Sequence, residues 1–135
     1  MSEEKKAKPQ SILVVDDNED IRNLLSFLLT KEGYQVTMAS DGDEGLEIAL
    51  TIKPDLILLD VMMPKVSGLE TLTALRANKD SKISAIPVVM ITAKAGTTDV
   101  DEALARGADS YIVKPFRPTS LINKVHSFLN PDENL

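Results

Sequence analysis

Five polar side chains in this 135-residue sequence stand where apolar runs end. Asp16 and Asp17 follow SILVV, Asp60 follows LILL, Thr92 follows VVMI and Lys114 follows YIV. Three carboxylates, an ammonium and a hydroxyl are the groups that handle phosphate. Carboxylates held close together resist joint ionisation unless a cation sits among them. A hard divalent cation with oxygen ligands, such as magnesium, meets that need. A carboxylate facing such a cation, with lysine and threonine nearby, is arranged for phosphoryl transfer. The cation and the ammonium neutralise the phosphoryl oxygens while Asp60 attacks phosphorus. Each residue also has an ordinary reading. Asp17 or Asn18 could cap the first helix, Asp60 could be a turn acid, and Thr92 suits any strand. Met62 and Met63 read as packing residues. The shared placement carries the inference.

The elements that must bring these groups together are legible as an alternation. SILVVDD, YQVTMAS, DLILLD, IPVVMITA and SYIVKP read as five strands. Between them, apolar residues recur at helical spacing: Ile21, Leu24, Leu25, Leu28 and Leu29, then Leu46, Ala49 and Leu50, then Leu69, Leu72 and Leu75, then Val100, Ala103 and Leu104. A fifth stripe follows the last strand at Leu121, Ile122, Val125, Phe128 and Leu129. Gly33, Pro54 and Gly107 mark helix ends, Asp41-Gly42 reads as a turn, and 76–87 is expected to be the longest loop. Five strand–helix units imply a parallel α/β sheet with right-handed crossovers, too short for an eight-fold barrel. The remainder is a doubly wound five-stranded parallel sheet with helices on both faces. In such sheets ligands bind beyond the carboxyl ends of the strands, where strand order reverses. If strand one lies beside strand three, the three acids share that crevice.

Composition narrows the function. The chain contains no cysteine and only one histidine, His126, which excludes disulfides, thiolate sites and an intrachain multi-histidine metal centre. His126 is expected at the surface or partly packed. A net charge of -6 disfavours direct binding to nucleic acid. No stretch is long and apolar enough to span a membrane or to act as a secretory signal, so a cytoplasmic protein is expected. Residues 1–10 and 131–135 read as tails around a domain at 11–130. The chain ends just after the fifth helix, and no output domain is expected within it.

The ordered set DD (16–17), LLDVMMPKVSG (58–68), ITAKA (91–95), GAD (107–109) and YIVKPF (111–116) resembles the receiver domain of bacterial two-component response regulators. The likeness is to the single-domain, chemotaxis-regulator-like kind and covers residues 11–130. It implies a flavodoxin-like strand order 2-1-3-4-5. It implies Asp60 as phospho-acceptor, with magnesium (or manganese in its place) bound directly by Asp17 and Asp60, through water by Asp16, and by the Met62 backbone carbonyl. Thr92 and Lys114 would hold phosphoryl oxygens, Tyr111 would be an aromatic switch residue, and Lys114-Pro115 would be cis. A sensor histidine kinase or phosphotransfer protein would supply the phosphoryl group. A downstream protein or a second copy would meet the surface of helix four, strand five and helix five. Ser67 departs from the Asp or Asn more usual there, but serine also caps a helix.

Two other classes compete. A flavodoxin-like electron carrier needs a hydroxyl- and glycine-rich phosphate loop after strand one, where DDNED would repel phosphate. An aspartyl-phosphate phosphohydrolase usually has a second acid two residues after its nucleophile, where this chain has Met62. The expected protein is thus not a metabolic enzyme; it catalyses its own phosphorylation and a slow dephosphorylation. In the family, Met62 and Lys94 would flank the water's approach. Methionine positions water poorly, and a charged lysine cannot act as a base.

Overall fold

The computed structural model describes residues 9–94 and 96–131. The remainder of the two expected tails, 1–8 and 132–135, lies outside the described residues. The five strands are β1 (Ser11–Val15), β2 (Gln35–Ala39), β3 (Leu56–Leu59), β4 (Val88–Thr92) and β5 (Ser110–Val113). They form one parallel sheet in the order β2-β1-β3-β4-β5. Strand one therefore lies beside strand three, as the converging-acid argument required.

Side chains alternate across the strands, and the core divides accordingly. Ile12, Val14, Leu56, Leu58, Val89 and Ile91 face one side and pack under α1 (Glu19–Lys31) and α6 (Pro118–Leu129). Leu13, Val15, Ile57, Leu59, Val88 and Met90 face the other. There they meet α2 (Gly42–Ile52), α3 (Gly68–Arg76), α4 (Ser81–Ser84) and α5 (Thr97–Ala105). Each fully buried Leu, Ile or Val contributes about 1.5–3 kcal/mol of transfer free energy. The two-sided burial explains why β3 and β4 read as unbroken apolar runs.

Helix ends follow local chemistry. Asn18 caps α1, its side chain accepting from the Ile21 N–H at 3.1 Å. Gly33, at φ +96°, turns the chain out of α1 in a conformation a side chain would resist. Ser67 and Glu70 form a reciprocal capping box at α3, so serine does serve there. The Lys114-Pro115 bond is cis.

Two expectations need correction. Asp41-Gly42 is not a free turn: Asp41 is the N-cap of α2, accepting from the Glu44 N–H at 2.8 Å, and Gly42 is the first helical residue. The 76–87 segment is not wholly loop. Asp80 caps the short α4 and Ile83 anchors it in the core. The fourth and fifth helices of the sequence pattern are therefore α5 and α6. Among the described residues no helix is long and apolar enough to cross a membrane.

Candidate phosphoryl-transfer site

Strand register assembles the site. Val15 pairs with Leu59, so the next residues, Asp16 and Asp60, emerge side by side at the carboxyl edge. Leu59 pairs with Met90, and Thr92 with Val113, which sets Lys114 one residue beyond the edge of β5. Backbone bonds fix these positions: Asp60 N–H donates to the Val15 carbonyl at 3.0 Å, and Lys114 N–H to the Thr92 carbonyl at 2.8 Å.

Asp16 and Asp60 are buried, at 2% and 4% exposure, and Thr92 is fully buried. Asp17 is exposed at the lip. One carboxylate oxygen from each of Asp16, Asp17 and Asp60 lies within 4.8 Å of the others. Lys114 Nζ donates to Asp16 Oδ2 at 2.8 Å and to Asp60 Oδ2 at 3.1 Å. The Met62 N–H donates to Asp60 Oδ1 at 3.2 Å, and the Asn18 N–H to Asp16 Oδ1 at 2.9 Å. Because Asn18 fills the capping role at α1, Asp17 is left available at the lip. Its reading as a helix cap does not hold.

The electrostatics bear the mark of crowded acids. Burial, then the charge of Asp16, push the Asp60 carboxyl above the usual carboxylate range, and Lys114 only partly offsets them. Burial pulls the Lys114 ammonium down, but its hydrogen bond to Asp16 and the charges of both acids outweigh it and hold it above the ordinary lysine value. Oxygen-only and over-charged, with two of its three acids buried, this donor set suits a hard divalent cation.

A second layer joins β4 to β5. The Lys94 N–H donates to Thr92 Oγ1 at 3.3 Å, and the Tyr111 hydroxyl donates to the Lys94 carbonyl at 2.7 Å. Burial, then the charges of Asp99 and Asp60, raise the Tyr111 hydroxyl above its ordinary value. Of the two methionines expected to pack, Met63 does lie against the core, but Met62 does not: it is 56% exposed and lines a cleft with Asp17 and Lys94.

Sequence patterning missed two contributors. Arg22 Nη1 donates to the Asp16 carbonyl at 2.7 Å, bracing the acid loop from one turn inside α1. Asp99, in the first turn of α5, pairs with Lys94 at 3.5 Å. Neither has a signal in the linear sequence. Asp109, in the quoted GAD, lies away from the site. It accepts from the Val88 N–H and from Arg76 Nη2, both at 2.8 Å, at the start of β4. His126 is half-buried in α6, with Nδ1 3.5 Å from the Tyr34 hydroxyl.

Known proteins resemble this chain in sequence and fold. A family model described as the response regulator receiver domain matches residues 12–126. The DNA-binding response regulator MtrA of Mycolicibacterium smegmatis is 39% identical over 125 residues, covering 93% of this chain and 53% of its own length. The alkaline phosphatase synthesis transcriptional regulatory protein PhoP of Bacillus subtilis is 45% identical over 124 residues, covering 92% and 50%. This chain thus spans about half the length of the curated relatives it matches. Among solved structures, chemotaxis response regulator CheY4 of Vibrio cholerae superposes with a TM-score of 0.83 at 34% identity, covering 90% of this chain and 99% of that one. A CheY-like receiver domain protein from Methanospirillum hungatei gives a TM-score of 0.84 at 30% identity, covering 94% and 98%. With the expected strand order and the acids gathered at its carboxyl edge, this chain belongs to the response regulator receiver domains, the phosphorylation switches of two-component signalling.

Proposed function

We propose that Asp60 is the phosphoryl acceptor of this receiver domain. The observation that carries the proposal is the state of its carboxylate: buried at the end of β3, bonded by Lys114, and set against Asp16 and Asp17. One Asp60 oxygen attacks the donor's phosphorus. A P–O bond forms, and the P–N bond of a phosphohistidine breaks with its electron pair leaving on the imidazole nitrogen. Lys114, with three N–H donors, turns from the carboxylates to the incoming phosphoryl oxygens. The Thr92 hydroxyl supplies a further donor. Asp16, Asp17, Asp60 and the Met62 carbonyl would hold magnesium, which when bound offsets the acids' mutual repulsion and neutralises phosphoryl charge. Incubation with a small phosphodonor should add one phosphoryl mass in the presence of magnesium and none in excess chelator; addition independent of the cation would contradict this reading.

Magnesium alone should bind weakly, since two or three carboxylates leave an open, hydrated site. Asp17→Asn, which removes the one exposed acid of the set, should weaken binding about tenfold and slow phosphorylation. Titration calorimetry on both proteins measures this, and an unchanged affinity would remove Asp17 from the site.

The family receives phosphoryl groups from histidine kinases or phosphotransfer proteins, and we place the output of this chain on α5, β5 and α6. Thr92 would move toward the phosphoryl oxygens, and Tyr111, tied through Lys94 to the same loop, would follow. MtrA is described as DNA-binding, but this chain covers only 53% of it. The net charge of -6 here supports a protein partner or a second copy, not nucleic acid.

Phosphate should leave slowly. Met62 and Lys94 line the cleft beside Asp17, and neither can serve as a base for water. Replacing Met62 by Asn and Lys94 by Glu together should speed dephosphorylation at least several-fold, a barrier change of about 1 kcal/mol. Phosphate release followed over time decides it; an equal or slower rate would show that these residues do not govern the water.

A further inference from the structure

Lys94 is fastened at three points. Its N–H reaches Thr92 Oγ1, its carbonyl accepts from Tyr111, and its ammonium lies 3.5 Å from Asp99 Oδ1. The first two contacts fix the main chain. The side chain is a flexible stem carrying a point charge, held at its tip by the Asp99 pair. It pairs with Asp99, and it also lines a cleft of about 510 Å³ with Asp17, Val61 and Met62 beside the phosphoryl-transfer site.

Asp99 is also the only acid in the first turn of α5, whose N-cap, Gly96, supplies no side-chain hydrogen bond. Its carboxylate folds back over that N-cap: a Cβ added at Gly96 would stand 2.9 Å from Asp99 Oδ2. The Lys94–Asp99 pair thus ties the loop after β4 to the uncapped start of α5. Both partners are partly exposed, at 44% and 34% for their side chains, and an ion pair of this kind holds weakly. A phosphoryl group on Asp60 brings nearly two negative charges and three acceptor oxygens into the neighbouring site. A lysine that lines the cleft beside Asp17 would be drawn to the stronger anion.

We propose that Asp99 and the phosphoryl group compete for Lys94, so that phosphorylation of Asp60 opens the Lys94–Asp99 bridge and loosens the first turn of α5. Asp99 is then a positioning residue that holds Lys94 off the site in the unphosphorylated protein. In the phosphorylated protein Lys94 screens the phosphoryl group while the released turn alters the α5 surface. The proposal rests on Asp60 being the acceptor.

The test compares wild type with Asp99→Asn, each before and after treatment with a small phosphodonor and magnesium, with the Asp60 adduct quantified by intact mass. Amide exchange is followed at Val100, whose N–H closes the first turn on the Gly96 carbonyl, and at Asp101. The Asp99 carboxylate-carbon NMR shift is followed in the wild type. Phosphorylation should move that shift and speed exchange roughly two- to five-fold, the effect of losing one exposed ion pair. Asp99→Asn should exchange at the faster rate already and respond little further, although its adduct is complete. A full adduct in both proteins with equal responses, or an unmoved Asp99 signal, would overturn the competition while leaving the acceptor intact. No adduct on the wild type would overturn both.

Discussion

Asp60→Asn should fold, fail to accept phosphate, and resist heat better than the wild type when divalent cations are absent. The gain follows from the buried charge. Burial and the neighbouring Asp16 raise the Asp60 carboxyl above the usual range, so the folded chain binds that proton more tightly than the unfolded chain does. Ionised Asp60 therefore opposes folding. Below its ordinary value, about 4, that cost is absent. It grows as pH rises through the ordinary value to the raised one and is constant above. Asparagine keeps the shape without the charge, and Lys114 retains Asp16 at 2.8 Å. The variant's unfolding midpoint should therefore lie above that of the wild type at pH 7. The difference should shrink toward zero below pH about 4. Thermal unfolding of both proteins across pH, in chelator, measures it; a variant less stable at neutral pH would mean that Lys114 more than compensates the buried acid.

Gly68→Ala should damage both fold and site. A Cβ at Gly68 would collide with the Asp60 carbonyl oxygen, and would stand 2.8 Å from the carbonyl carbon and 3.0 Å from Val61 Cα. These are backbone atoms at the end of β3, with no side chain to rotate away. The Gly68 N–H also donates to the Val61 carbonyl at 2.9 Å, so the start of α3 is latched onto the loop that follows Asp60. Relief requires that loop to shift, which costs on the order of 3 kcal/mol and moves Asp60 relative to Lys114. Denaturant unfolding should show that loss, and phosphorylation of the fraction still folded should slow at least tenfold, as misplacement of a reacting group does. Wild-type stability in this variant would show that α3 is free to retreat.

These two residues show what the sequence conveyed. All five strands were legible because each is a short apolar run bounded by turn or cap residues, and the members of the candidate site were legible because they sit at strand ends. Parallel register then placed Asp16 beside Asp60 without further information. What depends on close approach was not legible. Gly68 closes the LLDVMMPKVSG motif, but the contact that demands glycine is with the Asp60 carbonyl near the other end of that motif. The α4 helix has four residues and one buried anchor, Ile83, too little for a period to show. Asp41-Gly42 has the composition of a turn and of a helix start alike, and only the following stripe, docked on β1 and β2, selects the second. Leu24 and Leu50 fit helical stripes yet are 41% and 43% exposed, since a stripe read from spacing is wider than the contact it makes. Arg22 and Asp99 reach their partners through the fold of loops, which no periodicity encodes.

The proposed role of Asp60 can be tested chemically. An acyl phosphate is reduced by borohydride to the alcohol, which converts a phosphorylated aspartate to homoserine and leaves free carboxylates untouched. After phosphorylation with a small phosphodonor and magnesium, reduction and peptide mass analysis should find homoserine at position 60 and at no other aspartate, Asp16 and Asp17 included. Homoserine at another position, or a phosphoryl group that survives reduction on His126, would contradict the account.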